Sequence, residues 1–408
     1  MSQASFNIQP VNRFGGQGTT IRRPREVTCF SYDRDRQFTL GESSLAYYYP
    51  PNLPADLNIG YETFQKLNDS ADEHLDALLD TIVALERDTE KKCETDIITW
   101  RGMMTKVTLL IKARFIEENN SYKNEQKEKQ KAQRMPPGMA SQERMMYWGM
   151  TREIWKFLPP FFADSGPGPI SGYKFEVLSV LHKPWDPTTR AEIEGRQDEV
   201  VNNSAQYCSV VKTGMGNVRM ILGGEVDAVW DCKPEKKEDP IHWVELKTSA
   251  EIRNERDMMK YERKLLKFWA QSFLLGVPTI IVGFRDQDGI VRRLEELDTA
   301  SIPGKVKKLG RGSWDGNICI NFAAQFLEWL KHTIQQDGTW RIRKQEKSSV
   351  IEVFKVEESG HGDILSSTFR DWRSQAQGTQ AQETQAQETQ AQETQAQETQ
   401  AQETQAQA

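Results

Sequence analysis

What the chain lacks narrows its class. No run approaches the roughly 18 apolar residues that a membrane span needs, so a soluble protein with no membrane partner is expected. The start, MSQASFNIQPVNRF, lacks the basic-then-apolar layout of a secretory signal. The five cysteines (Cys29, Cys93, Cys208, Cys232, Cys319) stand far apart, with no CxxC and no Cys/His ligand spacing. Free thiols in a reducing compartment are expected. A basic excess is also missing: the formal net charge is −6, whereas a nucleic-acid binder usually shows a basic face. Much of that charge belongs to the tail. From Ser374 onward there is no Lys or Arg, only Glu383, Glu388, Glu393, Glu398 and Glu403. Without the tail the chain is close to neutral, so charge neither supports nor excludes RNA.

That tail, 374–408, repeats Gln-Ala-Gln-Glu-Thr with a period that fits neither a heptad nor a helical turn, and it has no bulky apolar side chain to bury. Disorder is predicted there. The segment 117–144, centred on SYKNEQKEKQKAQR, reads as a solvated charged loop. Residues 1–19 read as a flexible N-terminus.

Between these segments the pattern alternates. LDALLDTIVALE (75–86) has apolar residues at helical spacing, whereas IITWRGMMTKVTLLIKARF (97–115) is rich in β-branched residues and reads as strands. YKFEVLSVL (173–181) suits a buried helix or strand. VRMILGGEVDAVWD (218–231) and IHWVELKTS (241–249) alternate clearly, and the polar CKPEKKEDP (232–240) between them reads as the loop of a β-hairpin. MMKYERKLLKFWAQSFLLG (258–276) is a long amphipathic helix stopped by Gly276 and Pro278, PTIIVGFRD is a buried strand, and INFAAQFLEWLKHTI (320–334) is a further helix. The expected fold is therefore α/β or α+β, with mixed β-sheets flanked by helices, in one domain over residues 20–373.

Chemistry concentrates in the two alternating stretches. Residues two apart on a strand share a face, so Glu225 and Asp227 present two carboxylates together, and Glu245 and Lys247 do the same on the neighbouring strand. Three carboxylates converging across two strands repel one another unless a cation lies among them, and oxygen ligands of this kind favour Mg²⁺ or Mn²⁺. Lys247 beside them suits a group that orients a hydroxide or offsets phosphate charge. Either pair alone also fits a solvated sheet face. Together, in one hairpin with apolar partners, they resemble the D…(D/E)xK arrangement of metal-dependent nucleases.

Five ordered motifs extend that resemblance: TWRGMMTK around Arg101, GYKFE ending at Glu176, GGEVDAVW, WVELKTS, and KFWAQSFLLGVP with Gln271. SLAYYYPP (44–51) and SWDGNICINFAAQFLEWL (313–330) are looser matches. The sequence resembles the DXO family of RNA 5′-end decapping nucleases, in its fungal branch that partners the nuclear 5′–3′ exoribonuclease. The resemblance implies a PD-(D/E)XK-nuclease-like site holding two divalent ions. Glu225, Asp227, Glu245 and the Leu246 carbonyl would be ligands, and Glu176 would complete the set directly or through water. Lys247 and Gln271 would position the attacking water near the scissile phosphate, and Arg101 would contact phosphate or the terminal nucleotide. Read from the residues alone, Arg101 equally suits a structural ion pair, and Gln271 is a polar amide on an apolar helix that needs partners.

The implied activity is hydrolysis of RNA 5′ ends in the nucleus. It covers pyrophosphate release from triphosphates, removal of unmethylated or incomplete caps, and NAD-cap removal, each leaving a 5′-monophosphate. Two alternatives stay open: a mainly non-catalytic stabilising partner of the exoribonuclease, and a restriction-like DNA nuclease. The sequence departs from the family pattern at one place. Tyr147-Trp148-Gly149 is separated from Tyr173-Lys174-Phe175-Glu176, and removing 150–172 restores YWGYKFE. That stretch is read as an insertion or, in the favoured reading, as a retained intron: codons for Gly149–Thr151, Ala163-Asp164 and Ser171-Gly172 can spell a splice donor, branch point and acceptor. A real insertion there would threaten the placement of Glu176.

Overall fold

The computed structural model describes residues 3–67, 74–111, 147–151, 154–155, 170–310, 314–345, 348–356 and 365–374. The expected charged loop 117–144, most of the stretch 150–172, and the repeat tail beyond Ser374 lie outside the described residues.

Three sheets carry the fold. The first joins β1 (Gln3–Asn7), β17 (Val350–Val356), β16 (Gly338–Lys344), β7 (Tyr147–Thr151) and β8 (Ile154–Trp155), in that spatial order. The second runs β3 (Phe38–Leu40), β2 (Ile21–Tyr32), β10 (Gln206–Met215), β11 (Val218–Glu225) and β6 (Ile97–Trp100). The third runs β5 (Ala55–Asp56), β15 (Ile290–Asp298), β14 (Thr279–Arg285), β13 (Trp243–Ala250), β12 (Ala228–Val229), β4 (Tyr47–Tyr48) and β9 (Val180–Leu181). The second and third sheets are mixed: β11 is parallel to β6 but antiparallel to β10, and β13 is parallel to β14 but antiparallel to β12. The expected α/β architecture with mixed sheets and helices is present.

The α-helices among the described residues are α1 (Asp76–Thr89), α2 (Arg101–Leu109), α3 (Ile170–Leu178), α4 (Arg190–Gly195), α5 (Glu255–Leu275), α6 (Ile302–Lys308) and α7 (Gly316–Thr333). Local chemistry sets their ends. Asn254 caps α5 by accepting from the Asp257 N–H, and Gly276 closes it in the left-handed region at φ 74°. Asp315 caps α7 by accepting from the Asn317 and Ile318 N–H groups. The chain divides into two compact units, 1–74 with 93–364 and 75–92 with 365–408, so the domain expected over 20–373 includes parts of both. In the smaller unit, Glu86 of α1 is fully buried and accepts hydrogen bonds from Trp372 Nε1 at 2.8 Å and Arg373 at 2.7 Å.

Two expectations need correction. The stretch 97–115, read as strands, supplies only β6 before turning into α2 at Arg101. The buried residues Met103, Met104, Val107 and Ile111 follow helical spacing, which outweighs the β-branched composition. The N-terminus, read as flexible, is held. β1 pairs antiparallel with β17, and Phe6, Ile8, Val11 and Phe14 are buried. Phe6 and Phe14 meet Phe322 of α7 edge-on, at 6.1 and 5.3 Å between ring centroids. Asn321 fastens the same arm: its Nδ2 donates to the Phe14 and Gln17 carbonyls, and its Oδ1 accepts from the Thr19 N–H at 2.7 Å. Phe14→Ala, which removes a fully buried ring, is therefore expected to cost ~3–5 kcal/mol of stability by urea denaturation; a flexible arm would leave the midpoint unchanged.

Candidate metal centre

The centre forms where the chain passes from the second sheet to the third. β11 ends at Glu225, opposite Cys208 of β10. Val226 and Asp227 make the crossing, and β12 begins at Ala228 opposite Val244. Glu225 and Asp227 are thus not neighbours on one regular strand, as the alternation suggested. One ends a strand, and the other lies in the crossing, where its carboxylate accepts the Leu246 N–H at 2.6 Å. The hairpin survives only as the short β12–β13 pair. Glu245, Leu246 and Lys247 are internal to β13, flanked by β12 and β14. Val244 and Leu246 pack into the core with Phe175 and Ile281, so Glu245 and Lys247 share the other face.

Two helices complete the set. Arg101 opens α2 directly after β6, whose Trp100 is paired with Gly223. A Cβ on Gly224 would lie 2.8 Å from Arg101 Cβ and 2.7 Å from Leu275 Cδ1, so this glycine permits both helices to approach the end of β11. Sequence reasoning passed over Gly224; the Gly-Gly doublet immediately before Glu225 was the available signal. Glu176 arrives on α3, next to the fully buried Phe175, whose ring occupies the space a Cβ would need on Gly283 of β14. Glu176 interacts with Asp227, Glu225, Lys247 and Glu245, so it belongs to the cluster in this structure. Gln271 lies on α5, half-buried, one turn before Leu275 on the same helix face. It makes no hydrogen bond among the described residues, so its expected role is not visible as a contact.

Charge organises what geometry collects. Four carboxylates, Glu176, Glu225, Asp227 and Glu245, share two cations. Glu245, 1% exposed, takes both: Lys247 Nζ lies 2.6 Å and Arg101 3.2 Å from its Oε1. Burial pushes Glu245 up, but Lys247 and Arg101 outweigh it and hold the carboxyl below its ordinary value. Lys247 and Arg101 are held above theirs by the carboxylates, despite burial. The other three carboxyls retain a surplus. Burial, then Asp227, push Glu225 up to about 7. Burial pushes Asp227 up to about 6, even with Lys247 3.8 Å away. Glu176 is pushed well above 4.5 by burial and by Asp227 and Glu225. Arg101 is thus an ion-pair partner here, one of the two roles open to it.

A half-buried excess of oxygen donors over cations fits a divalent ion. The carboxylates are gathered but not closed into a coordination shell: no three of the four residues each bring an oxygen within 4.8 Å of the others'. Among the described residues, the one such group of potential ligands is Glu26, Cys29 and Glu42. There the Lys233 ammonium already sits 2.6 Å from Glu26 and 2.5 Å from Glu42.

Two measurements probe this balance. A carboxyl raised on folding binds more protons folded than unfolded, so its contribution to stability falls as pH rises from about 4.5 to about 7. In chelator at pH 8, Glu225→Gln should therefore melt above wild type, by on the order of 1–3 kcal/mol, and the gap should vanish near pH 4.5. A melting temperature that fell on substitution would count against a charge surplus. Gly224→Ala should destabilise by ~1–3 kcal/mol, because two side chains must move, and an unchanged melt would refute the close approach.

The family described as "RAI1 like PD-(D/E)XK nuclease" matches residues 22–159 and 169–370, omitting a piece of the stretch where the sequence departs from the motif pattern. The decapping nuclease RAI1 of Aspergillus fumigatus is 66% identical over 388 residues, covering 92% of this chain and 100% of the relative. The decapping nuclease din1 of Schizosaccharomyces pombe is 32% identical, covering 78% and 89%. Among solved structures, Candida albicans Rai1 in complex with pU5-Mn²⁺ superposes with a TM-score of 0.76 at 26% identity, covering 91% of this chain and 99% of that one. The family match includes every residue of the carboxylate cluster, and with relatives this similar over most of its length the chain belongs to the RAI1-like PD-(D/E)XK nuclease family.

Proposed function

We propose that this chain is an RNA decapping nuclease: a divalent-metal-dependent hydrolase of RNA 5′ ends that leaves a 5′-monophosphate. The observation that carries the reading is the partly buried cluster of Glu225, Asp227, Glu245 and Glu176 beside Lys247 at the junction of two sheets, with more negative charge than Arg101 and Lys247 offset. Decapping relatives at high identity over nearly the whole chain support the substrate class. A solved relative carrying pU5 and Mn²⁺ supports the metal.

Glu225, Asp227 and Glu245, with the Leu246 carbonyl and Glu176, would hold two Mg²⁺ or Mn²⁺ ions. When bound, such ions polarise the scissile phosphate and make water a nucleophile near neutral pH. The residues of the chain do the rest. Lys247, tied to Glu245, orients the attacking water; Gln271, whose amide makes no hydrogen bond among the described residues, shares that task. Arg101 swings between Glu245 and the phosphate, so its ion pair holds it ready. Substrates include 5′-triphosphates, incomplete caps and NAD caps. The protein acts in the nucleus beside a 5′–3′ exoribonuclease that consumes its product, an assignment supported by the motif resemblance to the fungal branch.

Incubating purified protein with triphosphorylated RNA and Mn²⁺ tests the reading. Pyrophosphate should be released, and Asp227→Ala should slow release at least ~10³-fold, the scale for losing an electrostatic element of a transition state. Wild type no faster than Asp227→Ala would leave a non-catalytic stabilising partner. Equal cleavage of duplex DNA would favour a restriction-like nuclease.

A further inference from the structure

One face of α5 is a stripe of positive charge. Arg256, Lys260, Arg263 and Lys267 are exposed and recur every three or four residues, with the half-buried Lys264 beside them. That spacing puts them on one side of the helix. The same side continues to the half-buried Gln271 and then to Leu275, which meets Gly224, the residue before Glu225. From Arg256 to Gln271 the stripe is about 22 Å long, and it leads towards the carboxylate cluster.

Helix chemistry alone does not favour this arrangement. Like charges three and four residues apart repel, and Arg256 lies in the first turn, where the helix dipole favours the opposite sign. The acidic residues of α5 are Glu255, Asp257 and Glu262. Glu255 opens the helix off the stripe, and Glu262 is fully buried on the opposite side. Asp257 lies 3.8 Å from Lys260, but its carboxylate is committed to the helix start, where it accepts the Arg253 N–H and Asn254 Nδ2.

We propose that this face of α5 binds the body of the RNA, its cations meeting successive phosphates on the 3′ side of the end held at the carboxylate cluster, an inference that rests on the decapping reading. A single strand presents its phosphates as a row of negative charges, and a row of cations is complementary to it. Phosphate contacts carry no sequence information, which suits an enzyme that selects the chemistry of a 5′ end. Exposed pairs such as Lys260 with Asp257 are weak and yield to phosphate. An acidic protein surface would fit the charge equally; the continuity of the stripe with Gln271 favours RNA.

Lys260→Gln, Arg263→Gln and Lys267→Gln combined remove three exposed cations from the stripe. Lys91→Gln, Arg190→Gln and Arg370→Gln combined change the net charge equally at exposed positions outside α5. Fluorescence anisotropy in Ca²⁺, with 5′-monophosphorylated diuridylate and hexauridylate as probes, reads binding without turnover. Wild type should bind the hexamer more tightly than the dimer, and its affinity for the hexamer should fall steeply with salt. In the stripe variant the slope of log affinity against log salt should flatten by about 2, because each single-strand phosphate contact contributes about 0.7. Its affinity for the hexamer at low salt should drop ~10-fold, with the dimer within twofold of wild type. The variant outside α5 should match wild type on both probes. With Mn²⁺ and triphosphorylated RNA, the stripe variant should raise KM and leave kcat within twofold.

An unchanged salt slope and hexamer affinity would overturn the proposal and leave the face to an acidic protein partner. So would an equal loss on dimer and hexamer, or an equal loss in the variant outside α5. Should the triple variant melt well below wild type, Arg256→Gln with Lys260→Gln decides in its place, with a slope flattened by about 1.4 expected and an unchanged slope overturning the proposal. If wild type releases no pyrophosphate, the decapping reading fails, while the anisotropy comparison still judges the stripe.

Discussion

The structure turns on a surplus of negative charge drawn partly out of water. Glu176, Glu225, Asp227 and Glu245 face two cations, and both cations lean on Glu245. Burying unpaired carboxylates is costly unless they are neutralised by protons or by a cation. Burial and mutual repulsion raise Glu225, Asp227 and Glu176, the direction in which protons offset part of that cost. A divalent ion held there, as proposed, would replace those protons, use the same repulsion in favour of binding and link metal affinity to pH through the same three groups.

Holding such a cluster together requires a scaffold stiffer than the repulsion. Each member is placed by an element whose own position is fixed by packing. Glu245 sits on an internal strand whose opposite face lies in the core. Glu176 follows Phe175, locked against Gly283. Arg101 and Leu275 close on Gly224. Two glycines thus act as contact points rather than as hinges: the missing Cβ at Gly224 and at Gly283 is the volume that lets a helix side chain reach the sheet.

Much of this was legible in the sequence because period and motif are local properties. The alternation around Glu245 and Lys247 marked a strand correctly, as did the helical spacing from Met258 to Leu275. The errors fall where distant contacts decide. The arm at 3–14 looked unpatterned because its partners, β17 and α7, come some three hundred residues later. Arg101 was placed in a strand because β-branched composition was weighed above the spacing of Met103, Met104 and Val107. Asp227 was assigned a strand face because nothing in GEVDAV announces a change of sheet; only the bond from Leu246 N–H reveals the crossing.

Proximity of ligand types is a poorer guide to a metal than the balance of charge. Glu26, Cys29 and Glu42 lie closer together than the carboxylates of the centre, and on distance alone they would be chosen. Yet Lys233 is bonded to both carboxylates there and to the Tyr207 hydroxyl, while Tyr207 and Ser209 donate to Glu26. Burial pushes the Cys29 thiol up, away from the thiolate a metal would need. That group is satisfied by the protein itself, and it anchors the loop bearing Lys233 to the second sheet. At Glu225, Asp227 and Glu176 the side chains stand further apart, and among the described residues the nearby cations, Lys247 and Arg101, lie closest to Glu245, with Lys247 3.8 Å from Asp227. A site that its own protein does not neutralise favours a counter-ion recruited from outside, which is why the looser cluster is the one proposed as the metal centre.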